Sequence, residues 1–128
     1  VNAYTDITGY GLLGHLLEMC KGSEVSANIK FNKIDFIDGA IECALDGIIP
    51  GGTKKNLSFI KDSIRFSDEL DETKQYLLAD AQTSGGLLIS VSSDKVSELV
   101  SKLNRAGCFA MNIGEVGELD SENYIQVS

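Results

Sequence analysis

Several features that define whole protein classes are absent from this sequence. Its 128 residues include one proline, one histidine and no tryptophan. No apolar run approaches the roughly 20 residues that span a bilayer, and the N-terminus has no signal-peptide pattern. Scarce proline and charges of mixed sign argue against a disordered linker. Since apolar residues make up 43% of the chain, we expect one globular domain of about ordinary size, residues 1–128.

Basic residues are also few, with 11 against 19 acidic ones and a formal charge of −8. A surface of this sign repels nucleic acid and anionic lipid, so neither is an expected partner. A nucleotide would be repelled as well unless a metal ion or a basic neighbouring domain intervened.

Cysteine and histidine do not form a recognisable constellation. The three cysteines have no CxxC spacing, so neither a zinc site nor a disulfide framework is indicated, and reduced thiols in the cytoplasm fit best. Cys20 and Cys43 are predicted core or boundary residues, and Cys108, at the start of a strand, has no activating partner. His15 lies off the apolar stripe of its helix, so a structural or surface role is favoured over a catalytic one.

The apolar pattern predicts a layered α+β domain with strands and helices interleaved. Three helices have an expected apolar face, and a fourth has a cap at Ser67 or Asp68 and ends near Ala79. Glycine ends three of the helices, at Gly22, Gly47 and Gly107, and Ser93 is the expected cap of the last one. The expected faces are Leu12, Leu13, Leu16, Leu17 and Cys20; Ile37, Ala40, Ile41, Ala44 and Leu45; and Val96, Leu99, Val100 and Leu103.

Strands and loops complete this prediction. A loop is expected at PGGTKKN (50–56), and the stretch 57–66 fits no single pattern. Strands are expected at 1–6, KFNKI (30–34), LLISV (87–91), FAMNIGEV (109–116) and YIQV (124–127).

The sharpest local motif is TDITGYGLLGHL, residues 5–16. Its GxGxxG string, with Asp35 following 21 residues after the last glycine, resembles a dinucleotide fingerprint, although no buried apolar strand leads into it. Alternatively, Asp6 offers a hard carboxylate for Mg²⁺, Thr5 and Thr8 can donate to phosphate oxygens, and Gly9 opens a helix N-terminus that favours anions. Asp6 or Thr8 as a simple helix cap explains the isolated motif equally well.

Two glycine segments leave two interpretations open. Gly51-Gly52-Thr53 and Thr83-Ser84-Gly85-Gly86 can form backbone nests for anions, or tight turns in which glycine supplies positive φ.

Four segments together resemble the C-terminal domain of selenophosphate synthetases. They are TDITGYGLLGHLLEM, IIPGGTKKNL, DAQTSGGLLISV and IGEV, in the family's order between positions 5 and 116. The resemblance implies a layered α/β sandwich with a mixed sheet, like that of the aminoimidazole ribonucleotide synthetase C-terminal domain. Tyr4, Tyr10 and Ala81 depart from the family pattern, and Ala81 weakens the nest interpretation of the second glycine segment.

The activity that this resemblance implies is the Mg²⁺-dependent conversion of ATP, selenide and water into selenophosphate, AMP and phosphate. Asp6 falls on the one metal ligand of the family's C-terminal half. Thr5, Thr8, Gly9, Thr83, Ser84, Gly85 and Gly86 are expected near the phosphates.

The resemblance places the reactive cysteine or selenocysteine and most ATP contacts in an N-terminal domain. Because the first residue is valine, we expect the chain to begin inside a longer parent. That parent is expected to be a homodimer, with no catalytic residue in this fragment, which would be inactive alone. The alternatives are a relative such as a thiamine-monophosphate kinase or an aminoimidazole ribonucleotide synthetase, and a non-catalytic binding domain.

Overall fold

The computed structural model describes residues 1–128 and has a mixed α+β architecture of six strands and five α-helices. Short 3₁₀ turns at Phe31–Lys33, Lys61–Ser63 and Ser93–Lys95 connect some of them. The elements in chain order are β1 (Ala3–Asp6), α1 (Gly11–Ser23), β2 (Val25–Ile29), α2 (Ala40–Leu45), α3 (Gly51–Ile60), β3 (Ile64–Phe66), α4 (Glu72–Ala79), β4 (Leu87–Ser90), α5 (Val96–Arg105), β5 (Gly114–Glu118) and β6 (Ile125–Val127).

The strands form two sheets. The larger sheet has the order β3-β6-β2-β5, in which β6 runs parallel to β3 and β2, and β5 runs antiparallel to β2. The smaller sheet is the antiparallel pair of β1 and β4. A mixed sheet with helices packed against it confirms the predicted fold class.

Helix α1 forms the centre of the core. Its predicted apolar stripe is buried in full, because residues three and four positions apart face the same side of a helix. Leu13 is fully buried and Leu17 is 3% exposed. The helix continues through Gly22 and ends one residue later at Ser23, with Glu24 in the left-handed conformation at φ 53°. The stripe packs against apolar residues of the large sheet and of α3 and α4, including Ala27, Ile29, Leu57, Ile60, Ile64, Leu78, Ile125 and Val127.

Two of the predicted elements between residues 30 and 56 are wrong, and a third is shorter than expected. KFNKI forms a 3₁₀ turn rather than a strand, and the helix expected over 35–46 is limited to α2. Most of the apolar face expected for the helix over 35–46 is exposed, with Ile37, which precedes α2, at 84% and Leu45 at 69%. PGGTKKN is not a loop: Pro50 caps α3, and the glycines form its first turn. Proline is well suited to a helix N-terminus because its missing N–H has no helical acceptor there.

Capping in the second half of the chain also differs from the prediction. Asp71, not Ser67 or Asp68, caps α4, and its carboxylate accepts a hydrogen bond of 3.0 Å from the Lys74 N–H. Ser93 opens a 3₁₀ turn and makes no side-chain cap. Gly47 and Gly107 do follow their helices with positive φ, as predicted. The strand expected over 109–116 begins only at Gly114.

We call residues 7–79 and 125–127 the core region and residues 80–124 the outer segment. Every buried residue lies in the core region, and the outer segment contains none. The expected buried face of α5 is therefore wrong for this chain, because its apolar residues are at most half-buried. No helix has the length and apolar character needed to cross a bilayer.

Candidate functional site

The site is built where the β1–β4 ladder continues into the two loops that follow it. Asp6 pairs with Leu87 as the last residue pair of the ladder. Beyond it, the Ile7 N–H donates to the Gly86 carbonyl at 2.9 Å and the Gly85 N–H donates to the Ile7 carbonyl at 3.2 Å. The Gln82 N–H donates to the Thr8 carbonyl at 3.0 Å. The TDITGYG and DAQTSGG segments, far apart in sequence, therefore lie side by side.

Helix α3 braces both loops through two side chains one turn apart. The Asn56 side-chain amide donates to the Gly9 carbonyl at 2.8 Å and to the Ala79 carbonyl at 3.0 Å. Thr53 is 1% exposed, and its hydroxyl donates to the Asp80 carboxylate. Residues at helical spacing of three share one face, so PGGTKKN aims both polar groups at the site. Three of the four segments that carry the resemblance thus converge.

Glycine is required at two positions because the chains approach closely. Gly11 has φ +71°, and a side chain there would meet the backbone of Ala79 at 2.7 Å. A side chain at Gly85 would collide with the Ile7 carbonyl oxygen. Gly51, Gly52, Gly85 and Gly86 all lack positive φ, so the tight-turn interpretation is wrong for both glycine segments.

The GxGxxG string does not belong to a dinucleotide-binding unit. Such a unit needs a parallel βαβ crossover, whereas β1 pairs antiparallel with β4. Gly14 instead leaves room for Tyr10, since an added Cβ would lie 2.7 Å from the Tyr10 Cβ. The string is a packing feature of the entry into α1.

Asp6 presents an exposed carboxylate with no hydrogen-bond or ion-pair partner in the chain. No group of three or more histidine, cysteine, aspartate or glutamate side chains is arranged to hold a metal by itself. Mg²⁺ nevertheless suits this arrangement, because it commonly binds through one or two protein carboxylates plus phosphate oxygens and water. Asp6 is therefore chemically fit to share a cation with a phosphate group.

The loop 81–86, which is hydrogen-bonded to Ile7 and Thr8, offers backbone donors. The N–H groups of Thr83, Ser84 and Gly86 have no acceptor in the chain, and all three residues are exposed. Exposed amides without a partner in the chain can donate hydrogen bonds to an anion. Thr5, in contrast, directs its hydroxyl at the adjacent Asp6 carbonyl at 3.4 Å, and the Gly9 carbonyl is engaged by Asn56.

The single histidine and the cysteines occupy different environments from one another. His15 is 8% exposed and hydrogen-bonds Thr8 and Glu18. Cys20 is buried as predicted, and burial raises the pKa of its thiol. Cys43 is exposed, so its prediction as a core or boundary residue is wrong, and Cys108 is exposed in the turn after α5 rather than in a strand.

The remaining segment of the resemblance lies outside this site. IGEV contributes to β5, at the edge of the large sheet and paired only with β2. A cleft of about 680 Å³ opens beside that sheet and includes Lys30, Lys33 and Arg65, but none of the predicted site residues.

Sequence reasoning missed the bracing contacts. Thr53, Asn56 and Asp80 were recognised only as parts of motifs, with no role assigned to their side chains. One sequence feature indicates these contacts: Thr53 and Asn56 are three residues apart and follow a proline that starts a helix, so they share one helix face.

Fold and site together define an α+β domain that holds a strand-end carboxylate beside a glycine loop. Residues 1–125 match the family model described as AIR synthase related protein, C-terminal domain. The chain belongs to this family.

Curated relatives are similar over nearly the whole chain. A selenide, water dikinase of Myxococcus xanthus is 47% identical over 116 residues, covering 91% of this chain and 33% of the relative. One from Carboxydothermus hydrogenoformans is 49% identical over 114 residues, covering 89% and 33%. One from Clostridioides difficile is 46% identical over 128 residues, covering 99% and 36%. The chain thus spans about a third of the length of these relatives.

Proposed function

We propose that this chain is the C-terminal domain of an ATP-dependent selenide, water dikinase. The parent enzyme would convert ATP, selenide and water into selenophosphate, AMP and phosphate. The observation that carries the proposal is the convergence of three motif segments on one exposed, unpaired carboxylate. The similarity to proteins named selenide, water dikinase supports the choice of substrate.

Asp6 would hold Mg²⁺ together with phosphate oxygens of ATP. Once bound, the ion would neutralise phosphate charge, which matters for a chain of formal charge −8. The amides of Thr83, Ser84 and Gly86 would donate to phosphate oxygens on the other side of the site. Bracing by Thr53 and Asn56 would keep the two loops at a constant separation, which limits the reorganisation needed when nucleotide binds.

The rest of the reaction would depend on groups outside this chain. We propose an N-terminal domain of the same parent that binds most of the ATP and supplies the nucleophilic cysteine or selenocysteine. A homodimeric parent in the cytoplasm is part of this proposal, and the three free thiols are compatible with a reducing compartment. This domain alone would have no activity.

The test is selenide-dependent formation of AMP from ATP in the presence of Mg²⁺. This chain alone should be inactive. The parent enzyme, at the full length of the relatives, should form AMP from ATP. Turnover by the isolated chain would contradict the proposed division of roles. ATP consumption by the parent that ignores selenide but follows another phosphate acceptor would identify a different member of the superfamily.

A pair of variants with the same charge change tests the role of Asp6. Asp6→Asn in the parent should lower turnover by about tenfold or more and raise the Mg²⁺ concentration required, because a ligand is lost. Asp35→Asn removes an exposed carboxylate elsewhere and should leave both unchanged. Equal behaviour of the two variants would refute a metal-binding role for Asp6.

A further inference from the structure

The hydroxyl of Thr8, the imidazole of His15 and the carboxylate of Glu18 are joined by two successive hydrogen bonds, beginning two residues after Asp6. The Thr8 Oγ1 atom lies 3.0 Å from the His15 Nε2 atom. On the other side of the ring, the His15 Nδ1 atom lies 3.1 Å from a Glu18 carboxylate oxygen. His15 is buried, whereas the Glu18 side chain is 63% exposed.

The ring orientation is held by its surroundings as well as by these hydrogen bonds. The Tyr10 ring packs against the imidazole with a centroid distance of 5.7 Å and a tilt of 56°. Gly14 allows this position of Tyr10, because a Cβ at residue 14 would overlap the Tyr10 Cβ. Rotation of the imidazole by half a turn would break both polar contacts at once.

The chemistry of the three groups determines where the protons lie. An ionised carboxylate only accepts hydrogen bonds, so the His15 nitrogen facing Glu18 must carry a proton. In a neutral imidazole the other nitrogen is then an acceptor. With the imidazole neutral, the Thr8 hydroxyl must donate its only proton to the His15 Nε2 atom. Its oxygen is left with lone pairs alone for any further partner.

Because the backbone bonds of Ile7 to Gly85 and Gly86 continue the ladder, we infer that the side chains of Asp6 and Thr8 lie on the same side of the chain. Burial alternates from exposed Asp6 through buried Ile7 to half-buried Thr8, and successive side chains of an extended segment point to opposite sides. An oxygen that can only accept, next to an unpaired carboxylate, is suited to a cation or its bound water. It is not suited to donate to a phosphate oxygen, which was the role suggested for Thr8 by its residue type.

We propose that His15 is a positioning residue that fixes the Thr8 hydroxyl as an acceptor directed at the cation held by Asp6. The cation part of this inference rests on the proposed function, whereas the protonation pattern does not. Glu18 selects the tautomer of His15, and His15 selects the orientation of the Thr8 hydroxyl. Such partners behind a metal ligand typically change affinity by about 10- to 100-fold when removed.

The protonation pattern is measurable directly, because His15 is the only histidine. Long-range ¹H–¹⁵N correlation spectra of this chain, labelled at the imidazole and held at mildly alkaline pH, should show Nδ1 protonated and Nε2 unprotonated. Glu18→Gln should weaken this preference, since a neutral amide can also donate to the ring. Protonation of Nε2 in the unaltered chain would overturn the inference and leave the proposed function intact.

The consequence for the cation is tested in the parent enzyme with two pairs of variants. Thr8→Val and His15→Leu should raise the Mg²⁺ concentration for half-maximal activity by about tenfold or more, with a small change in KM for ATP at saturating Mg²⁺. Thr8→Ser keeps the hydroxyl, and His15→Gln keeps a hydrogen-bond acceptor. Both variants should need a Mg²⁺ concentration within a few fold of that of the unaltered parent. If His15 had a purely structural role, glutamine at this position would not restore the Mg²⁺ concentration needed for half-maximal activity.

Two further outcomes separate the claims. A higher KM for ATP at saturating Mg²⁺ in Thr8→Val, with the Mg²⁺ requirement unchanged, would mean that Thr8 donates to phosphate, and the inference would be wrong. An unchanged Mg²⁺ requirement in Asp6→Asn would instead remove the cation from this site and overturn the proposed function with it. If His15→Leu does not fold, Thr8→Val still tests the inference. Valine has nearly the same shape as threonine, so we expect this variant to fold.

Discussion

The core region and the outer segment have similar apolar patterns but different degrees of burial. All 21 buried residues lie in the core region, and none lies between residues 80 and 124. Helix α5 has apolar residues at regular helical spacing, as α1 does, yet none of them is buried. The pattern therefore specifies which side of a helix is apolar, whereas burial also requires a surface to pack against. The candidate site lies at the junction, since Ile7 and Thr8 belong to the core region and the loop 81–86, which they contact, belongs to the outer segment.

Truncating the core should have the largest effect on stability. Leu13→Ala removes a fully buried side chain from α1 and should lower the free energy of unfolding by about 2–5 kcal/mol. Urea denaturation followed by circular dichroism measures this difference. A loss below 1 kcal/mol would mean that the two regions are not separate in energetic terms.

The second largest loss in the free energy of unfolding is expected at the tight contact where α1 begins. Gly11→Ala forces a side chain into the left-handed conformation and against the Ala79 backbone, and should cost about 2–4 kcal/mol. Gly22→Ala in the same helix meets nothing within 4 Å and should be neutral or stabilising by up to about 1 kcal/mol. Similar losses in both variants would show that the close approach of Gly11 to the Ala79 backbone does not set the effect.

Removing the Asn56 brace, which holds the end of the core region at Ala79, should have an intermediate effect. Asn56→Ala eliminates two hydrogen bonds and should cost about 1–3 kcal/mol. Hydrogen exchange of the amides in residues 80–86 should accelerate more than that of β6. Lys55→Ala, at an exposed neighbouring position, serves as the control. Uniform acceleration across both regions would contradict a local bracing role.

Shortening the apolar face of α5 should change stability little. Leu103→Ala should cost less than about 1 kcal/mol in this chain, because the residue is only half-buried. The measurement is the same urea titration used for Leu13→Ala. A cost comparable to that of Leu13→Ala would mean that α5 is part of the core after all.

The smallest effect concerns the cysteines and pH. Burial raises the pKa of Cys20, so the folded chain retains the thiol proton at pH values where the unfolded chain loses it. The stability contributed by the protonated Cys20 thiol is complete below the ordinary thiol pKa and declines as pH rises above it.

In the native state a thiol reagent should modify Cys43 and Cys108 rapidly and Cys20 only on unfolding. Equal labelling of all three would contradict the burial of α1.

Features set by residues close together in the sequence could be predicted, and features set by residues far apart in the sequence could not. The α1 stripe was predicted residue by residue, because helical periodicity is a local property. The first turn of α3 was missed, because proline and glycine mark both loops and helix starts. The ligand candidate Asp6 was found through a motif, but its bracing was not, since Thr53 and Asp80 meet across 27 residues of sequence separation.

The pairing of β1 with β4 also has a consequence for how the protein folds. Joining Asp6 to Leu87 closes a loop of about 80 residues, and such distant contacts form slowly because chain entropy opposes them. The Ile7–Gly86 hydrogen bond, which assembles the site, depends on that closure. Cation or phosphate binding by these loops would therefore report that folding is complete, and a partly folded intermediate would have no competent site.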